Sequence, residues 1–330
     1  VSPIPEVMRA AVVRELGSTS AIHVEQVPVP APGPTDVLVR VLASEVNHVD
    51  VFVVTGAYPT PTPFPFVVGR DLVGEIVAAG EGAGSLRVGE RVWTNSLGYA
   101  GRQGALAEYA LVPADRTYRL PAAADPLAAA AVLHTGATAA TGLQHRARVG
   151  IGDTVLIGGG AGGVGSAAIR IASWAGARVI ATARVEDAAW CTALGAQEVL
   201  DYRQADLDDR LHEAAPEGVD IFWDTSGHYD LAAATELLAP RGTLLLTAGL
   251  ATRAQLPVGA FYTRDLTIRG FAMSGLSADE LAAAARTVNH LITTDSPVVR
   301  ATEVVELDGV AGAFERMRAG SVRARLLVRP

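Results

Sequence analysis

The chain has 330 residues, of which 49% are hydrophobic and 19% charged, with 34 glycines, 18 prolines and a formal net charge of −8. This length exceeds what one hydrophobic core usually supports, so two domains are expected, and the composition is that of compact, turn-rich globular proteins rather than disordered ones. The acidic balance excludes a basic footprint for nucleic acid, the single Cys191 excludes an internal disulfide and a thiolate-rich zinc site, and the longest apolar region, 154–183, is interrupted by Arg170, Arg178 and glycines and does not read as a membrane span.

Residues 1–7 precede Met8 and read as an extension without functional weight. No secretory signal opens the chain, so a reducing, cytoplasmic setting is expected. From Met8 to about Pro121, short β-rich runs (AAVVREL, VLVRVLAS, LVGEIVAAG, RVWTN, LAEYALVP) alternate with Gly and Pro clusters. That pattern predicts an antiparallel, partly barrel-like β domain. Past Pro121 the texture changes to an Ala-rich helix over about 125–146. Strands are then predicted at 154–158, 178–183, 198–202, 221–224 and 243–247, with helices between them. Such alternation predicts a parallel, doubly wound sheet, so the fold class is α/β. A strand at 266–271, a helix at 278–292 and a last strand at 324–328 close the chain.

The main chemical signal is TVLIGGGAGGVG, residues 154–165, which runs straight into an apolar helix. Gly160, Gly162 and Gly165 satisfy G-x-G-x-x-G in the required strand-to-helix context, with Ala161, Gly163 and Val164 between them. One glycine serves the tight turn, one lets backbone approach a pyrophosphate, and one lets helix and strand pack closely. The helix N-terminus then offers unpaired N–H groups and a favourable dipole to the anion. A dinucleotide is the predicted ligand. Its identity depends on the end of the second strand, where a carboxylate suits the ribose of NAD and an arginine suits the 2′-phosphate of NADP. Here that strand ends at Arg184, which favours NADPH, while Glu186 and Asp187 stand close enough to offer the NAD alternative. Tyr202, at the end of the third strand, is placed beside the adenosine end.

From Met8 onward the chain resembles the zinc-independent quinone oxidoreductase branch of the medium-chain dehydrogenase/reductase family. Residues 152–173 look like that branch's signature, with Arg170 where the family usually has Gln. SEVNHVDVFVVTGAYP, PFVVGRDLVGEIVAAGEG, TGATAATGL, LAPRGTLLLTAG and DLTIRGF match further. The resemblance implies a GroES-like β-rich catalytic domain from residues 1–123 and 273–330, and a Rossmann domain from 124–272. It also implies an active site in the cleft between them and a homodimer. By family position, Thr138, Thr247, Gly249 and Phe271 contact the cofactor, and Asn47 and Tyr58 lie near the nicotinamide.

Zinc-dependent relatives place a Cys where this chain has Asn47, and Gly-His-Glu where it has Gly69, Arg70 and Asp71. A catalytic zinc needs about three protein ligands, and both departures remove one, so no metal is expected. His48 then reads as a packing or cleft-edge histidine. The activity implied is hydride transfer from NADPH to a quinone or an α,β-unsaturated carbonyl, with Asn47 donating to the acceptor oxygen and Tyr58 closing the pocket or relaying a proton. Phe52 stands where several relatives carry Tyr, which implies a less polar pocket. The competing readings are an enoyl-thioester reductase of secondary metabolism, a zinc-type alcohol dehydrogenase, and a non-catalytic NADPH-binding protein. For Asn47 a purely local role in holding its own turn competes with the chemical one.

Overall fold

The computed structural model describes residues 3–228, 230–294 and 298–330, so the start of the N-terminal extension lies outside the described residues. The chain divides into two compact units, Val1–His134 with Ser277–Pro330 and Thr135–Leu276.

In the first unit β1 (Val7–Val13) pairs antiparallel with β2 (His23–Pro28), and β3 (Asp36–Glu45) leads to the short helix α1 (His48–Val54). After β4 (Phe66–Val67), which joins β1, the strands β5 (Asp71–Ala79), β6 (Arg91–Thr94), β7 (Tyr109–Pro113) and β8 (Tyr118–Arg119) follow. β3 is the central strand, flanked antiparallel by β5 and β7. Its Val37, Val39 and Val41 pack with Leu72, Ile76, Val92 and Val112 in one core, which is why these strands read as nearly continuous β-branched runs.

The Ala-rich stretch predicted as one helix is broken into α2 (Pro126–Ala130), α3 (Leu133–Ala140) and a π-helix over Thr141–Ala147. Asp125 caps α2, accepting from the Ala128 N–H at 2.9 Å. Within the π segment a Cβ on Gly142 would fall 2.4 Å from the Trp223 ring: the helix lies against the indole so closely that only glycine fits. Arg148, in the left-handed region at φ 58°, ends it.

In the second unit β9 (Thr154–Gly158), α4 (Gly163–Trp174), β10 (Arg178–Ala183), α5 (Ala188–Leu194), β11 (Glu198–Asp201), α6 (Leu207–Ala214), β12 (Val219–Asp224), α7 (Leu231–Leu237), β13 (Leu238–Leu246), α8 (Val258–Thr263) and β14 (Thr267–Gly270) succeed one another. The six strands form an all-parallel sheet in the order β11-β10-β9-β12-β13-β14, the doubly wound arrangement whose order reverses beside β9. Leu156, Ile180, Leu200, Leu238 and Leu244 fill one core of this unit.

The chain then returns to the first unit. Ser277 and Glu280 form a capping box at the start of α9 (Ala278–Thr293). β15 (Thr302–Glu306), α10 (Val310–Arg318) and β16 (Arg325–Arg329) follow. β16 pairs antiparallel with β3 through Leu327 and Glu45, and so joins the seven-stranded sheet. The fold is thus a GroES-like set of antiparallel sheets and a Rossmann sheet.

Candidate active site

In the second unit the expected cofactor residues gather at the carboxyl end of the parallel sheet, where ligands of doubly wound folds bind. Gly159 takes up φ +71° directly after β9, and the turn is tied by Gly160 N–H to Thr182 O at 2.8 Å and Gly162 N–H to Gly159 O at 2.9 Å. A Cβ on Gly165 would sit 2.2 Å from Gly159 O, and one on Gly160 would sit 2.9 Å from Ile169 Cδ1, so helix and strand close only over bare glycine. A Cβ on Gly162 would meet nothing but Gly159 O, at 3.2 Å, leaving that backbone open to approach. Gly162 gives the helix no side-chain cap, which leaves the first-turn N–H groups of α4 without that partner, the arrangement in which helix N-termini bind anions.

Arg184 and Tyr202 stand at the ends of adjacent strands, with Arg184 Nε donating to the Tyr202 hydroxyl at 2.9 Å. Arg203 extends the pair into a cluster. It binds Asp201 at 2.8 Å and Glu186 at 3.2 Å, and its hydrogen bonds bring the Asp201 carboxyl down to about 2. Glu186, the acid that could have served an NAD ribose, is therefore held by Arg203, with Arg184 at 4.0 Å on its other oxygen. Arg203 was not singled out from the sequence, although it directly follows Tyr202 at the same strand end.

Thr247 follows β13 and accepts from Trp223 Nε1 at 2.9 Å. Gly249 is at φ +74°, where a Cβ would meet Gly227 O at 2.6 Å. Phe271 follows β14; its ring lies 6.2 Å from Trp223 and carries the Arg146 guanidinium at 5.8 Å. Thr138 is buried on α3. The bare glycine turn after β9 fits a nicotinamide dinucleotide, since its backbone at Gly162 is open to a pyrophosphate.

In the first unit Asn47 opens α1, its backbone N–H bound to Asp50 Oδ2 at 2.8 Å, which is the local turn-holding role. Its side chain is also fixed. Nδ2 donates to Asp71 Oδ2 at 2.9 Å, and Oδ1 accepts from Arg325 Nη2 at 3.2 Å. The Asn47 side chain also hydrogen-bonds the Asp50 carboxyl. Glu45 and Asp71 face each other across the β3–β5 register, and Arg325 of β16 pairs with Glu45. Arg70 is fully buried, and its guanidinium lies 5.6 Å over the Tyr99 ring. Tyr99 in turn lies 5.9 Å from Tyr58. Asn47 and Tyr58 thus belong to one network through Asp71, Arg70 and Tyr99.

This network concentrates buried charge. Burial raises Glu45 to about 7 and Asp50 to about 6, in each case against the pull of a nearby guanidinium. Asp71 is raised well above its ordinary value by burial and then by the charges of Asp50 and Glu45. His134, whose Nδ1 lies 3.9 Å from Asp71 Oδ1, is held neutral by burial and by the nearby Arg70 and Arg325. Among the described residues no three His, Cys, Asp or Glu side chains are placed to hold a metal ion. No helix among them is long and apolar enough to cross a membrane.

Residues 33–122 match the alcohol dehydrogenase GroES-like domain family, and residues 163–290 the zinc-binding dehydrogenase family. Over 250 residues, 75% of each chain, the sequence is 32% identical to quinone oxidoreductase of Homo sapiens. A mycobacterial protein solved in complex with NADPH aligns with a TM-score of 0.84 at 28% identity, covering 98% of this chain and 100% of that one. An NAD-dependent alcohol dehydrogenase aligns with a TM-score of 0.87 at 29% identity, with the same coverage.

Proposed function

Because the chain belongs to the quinone oxidoreductase branch of the medium-chain dehydrogenase/reductase family, we propose that it reduces a small quinone or α,β-unsaturated carbonyl with NADPH and without zinc. The observation that carries the choice of NADPH is the cluster at the ends of β10 and β11. Arg184 and Tyr202 present a cation and a hydroxyl, while Arg203 occupies the neighbouring carboxylates Asp201 and Glu186. A 2′-phosphate gains from such a guanidinium, whereas an NAD ribose would need a carboxylate in its place.

When bound, NADPH supplies a hydride to an electron-poor carbon of the acceptor. Thr138, Thr247, Gly249 and Phe271 would hold its nicotinamide end, and the glycine turn its pyrophosphate. Asn47, locked between Asp71 and Arg325, is the amide that would donate to the acceptor oxygen as charge develops there. Tyr58 borders the same network through Tyr99, whose ring is tilted 34° to it and carries the buried Arg70 guanidinium. Zinc-free operation follows from Asn47 and Arg70 at the positions where zinc-dependent relatives carry ligands: an amide and a guanidinium do not bind zinc. Residues 1–123 and 273–330 act as the catalytic domain and 124–272 as the cofactor domain of a cytoplasmic homodimer.

The test is oxidation of NADPH and of NADH by chelator-treated protein with a panel of quinones and enones, for the wild type and Arg184→Ala. The wild type turns over with NADPH after chelation. The variant raises KM for NADPH by roughly ten- to a hundredfold, as loss of a charge-assisted contact predicts, and leaves KM for NADH nearly unchanged. Equal KM changes for both cofactors would remove the 2′-phosphate assignment, and dependence on added metal would remove the zinc-free one.

A further inference from the structure

Reduction of a conjugated carbonyl by hydride leaves an enolate that must take up a proton, and neither the cofactor nor Asn47 can provide it. Directly behind Asn47 lie three carboxyls, Glu45, Asp50 and Asp71, each at most 4% exposed. Among the described residues two guanidiniums, Arg70 and Arg325, share the cluster with them. His48 and His134 are the remaining titratable neighbours, and desolvation lowers both. Three carboxylates against two guanidiniums would leave one net negative charge buried, and a proton relieves that at far lower cost than any rearrangement.

The geometry also says where the proton resides. Glu45 pairs directly with Arg325, and Asp50 Oδ2 accepts the Asn47 backbone N–H at 2.8 Å. Glu45 Oε2 and Asp71 Oδ1 are both buried without a hydrogen bond, but Glu45 is already held by Arg325 through Oε1, which leaves Asp71 as the carboxyl with an oxygen to spare toward a histidine. Its Oδ2 accepts from Asn47, while its buried Oδ1 makes no hydrogen bond and faces His134 Nδ1 at 3.9 Å. The Asp71 side chain is fully buried, whereas that of His134 is 16% exposed, so the imidazole is the side of this pair that reaches outward.

We propose that Asp71 stores a proton behind Asn47 and passes it through His134 to the reduced acceptor. The inference rests on the enone reading of the activity, and the steps balance as follows. Hydride adds to the β-carbon and the electron pair of the C=C bond moves toward the carbonyl oxygen, giving the enolate. His134, neutral with its proton on Nε2, gives that proton to the enolate, and Nδ1 takes the Asp71 Oδ1 proton. Imidazole stays neutral and Asp71 becomes a carboxylate. Solvent then supplies the one proton consumed per turnover to Nε2, hydroxide leaving to the bulk where water is the donor, and the Nδ1 proton returns to Asp71. Asp71 acts only through His134, as a positioning and proton-storing group.

The stored proton is read without turnover, by infrared difference spectroscopy of cofactor-free wild type against Asp71→Asn at about pH 9, above the range in which Glu45, raised to about 7, titrates. A carboxylic acid C=O band that shifts in D2O is expected in the wild type and is missing in the variant. If the wild type shows no such band, the proton store is overturned whatever the enzyme does. The relay is read from kcat with NADPH and an enone across pH. Asp71→Asn and His134→Gln should each lower kcat by roughly a hundredfold or more, the usual worth of a general acid, and flatten its alkaline fall, with KM for NADPH unchanged. A folded Asp71→Asn enzyme that keeps the wild-type kcat and pH profile overturns the relay. If wild type reduces no quinone or enone, the functional reading fails and takes the relay with it, and the infrared band alone then decides the stored proton.

Discussion

Glu45 shows how one side chain in the buried network governs the response of the whole protein to pH. Its carboxyl sits near 7 in the folded state because burial outweighs the pull of Arg325, and returns to its ordinary value, 4.5, on unfolding. Between those two values the folded protein holds more protons at this site than the unfolded chain, so stability from it is full below about 4.5 and is lost as pH rises toward 7. Glu45→Gln removes that slope. Melting temperatures of wild type and Glu45→Gln should therefore diverge in favour of the variant between pH 5 and pH 8, by a few degrees. His134 contributes the opposite slope at lower pH in both proteins and cancels in the difference; a gap independent of pH would refute the assignment. The residues behind this effect were poorly legible in the sequence, for a physical reason. Arg325 reaches Asn47 across 278 positions, and Asp71 meets Asn47 only because β3 and β5 pair in one register. Arg184 was legible because its meaning depends on a single strand end. Its neighbour Arg203 was not, since its effect is to engage Glu186, a contact visible only once β10 and β11 lie side by side.

Elements were easier to read where one local rule decides them. β9 and β10 have the expected limits, 154–158 and 178–183, because each is a buried parallel strand bounded by turn residues. The Ala-rich helix was read as continuous because alanine favours helix at every position, and nothing local announces that Gly142 must lie against Trp223. The turn between β9 and α4 is the element on which dinucleotide binding depends most. In Gly165→Ala the new Cβ would begin 2.2 Å from Gly159 O, a backbone atom that cannot move without opening the turn. Overpacking of this kind costs about 1–3 kcal/mol, and here it falls on the pyrophosphate cradle. The variant should fold with a lowered melting temperature yet lose dinucleotide binding by roughly a hundredfold, measured as quenching of protein fluorescence or by calorimetry. Unchanged affinity would show that the cradle is not where the pyrophosphate sits.

For the molecule as a whole, the sequence disclosed the architecture because its two textures differ: short antiparallel runs on one side, alternating strands and helices on the other. It disclosed less about assembly, which depends on surfaces. The parallel sheet of the second unit ends at β14, whose outer edge pairs with no strand among the described residues. Near it in sequence, Val258 is 62% and Tyr262 76% exposed on α8. An open strand edge with adjacent exposed apolar side chains invites pairing or cover, and a second copy of this chain provides both. The homodimer proposed above would then use this face. Light scattering of the purified protein should give about twice the chain mass, and the double variant Val258→Glu with Tyr262→Glu should shift it toward the single-chain mass while the far-ultraviolet circular dichroism stays unchanged. A wild type that elutes at the mass of one chain would remove the dimer. A variant that remains dimeric would move the interface away from α8, because two buried, unpaired carboxylates per subunit are not tolerated at the centre of an interface.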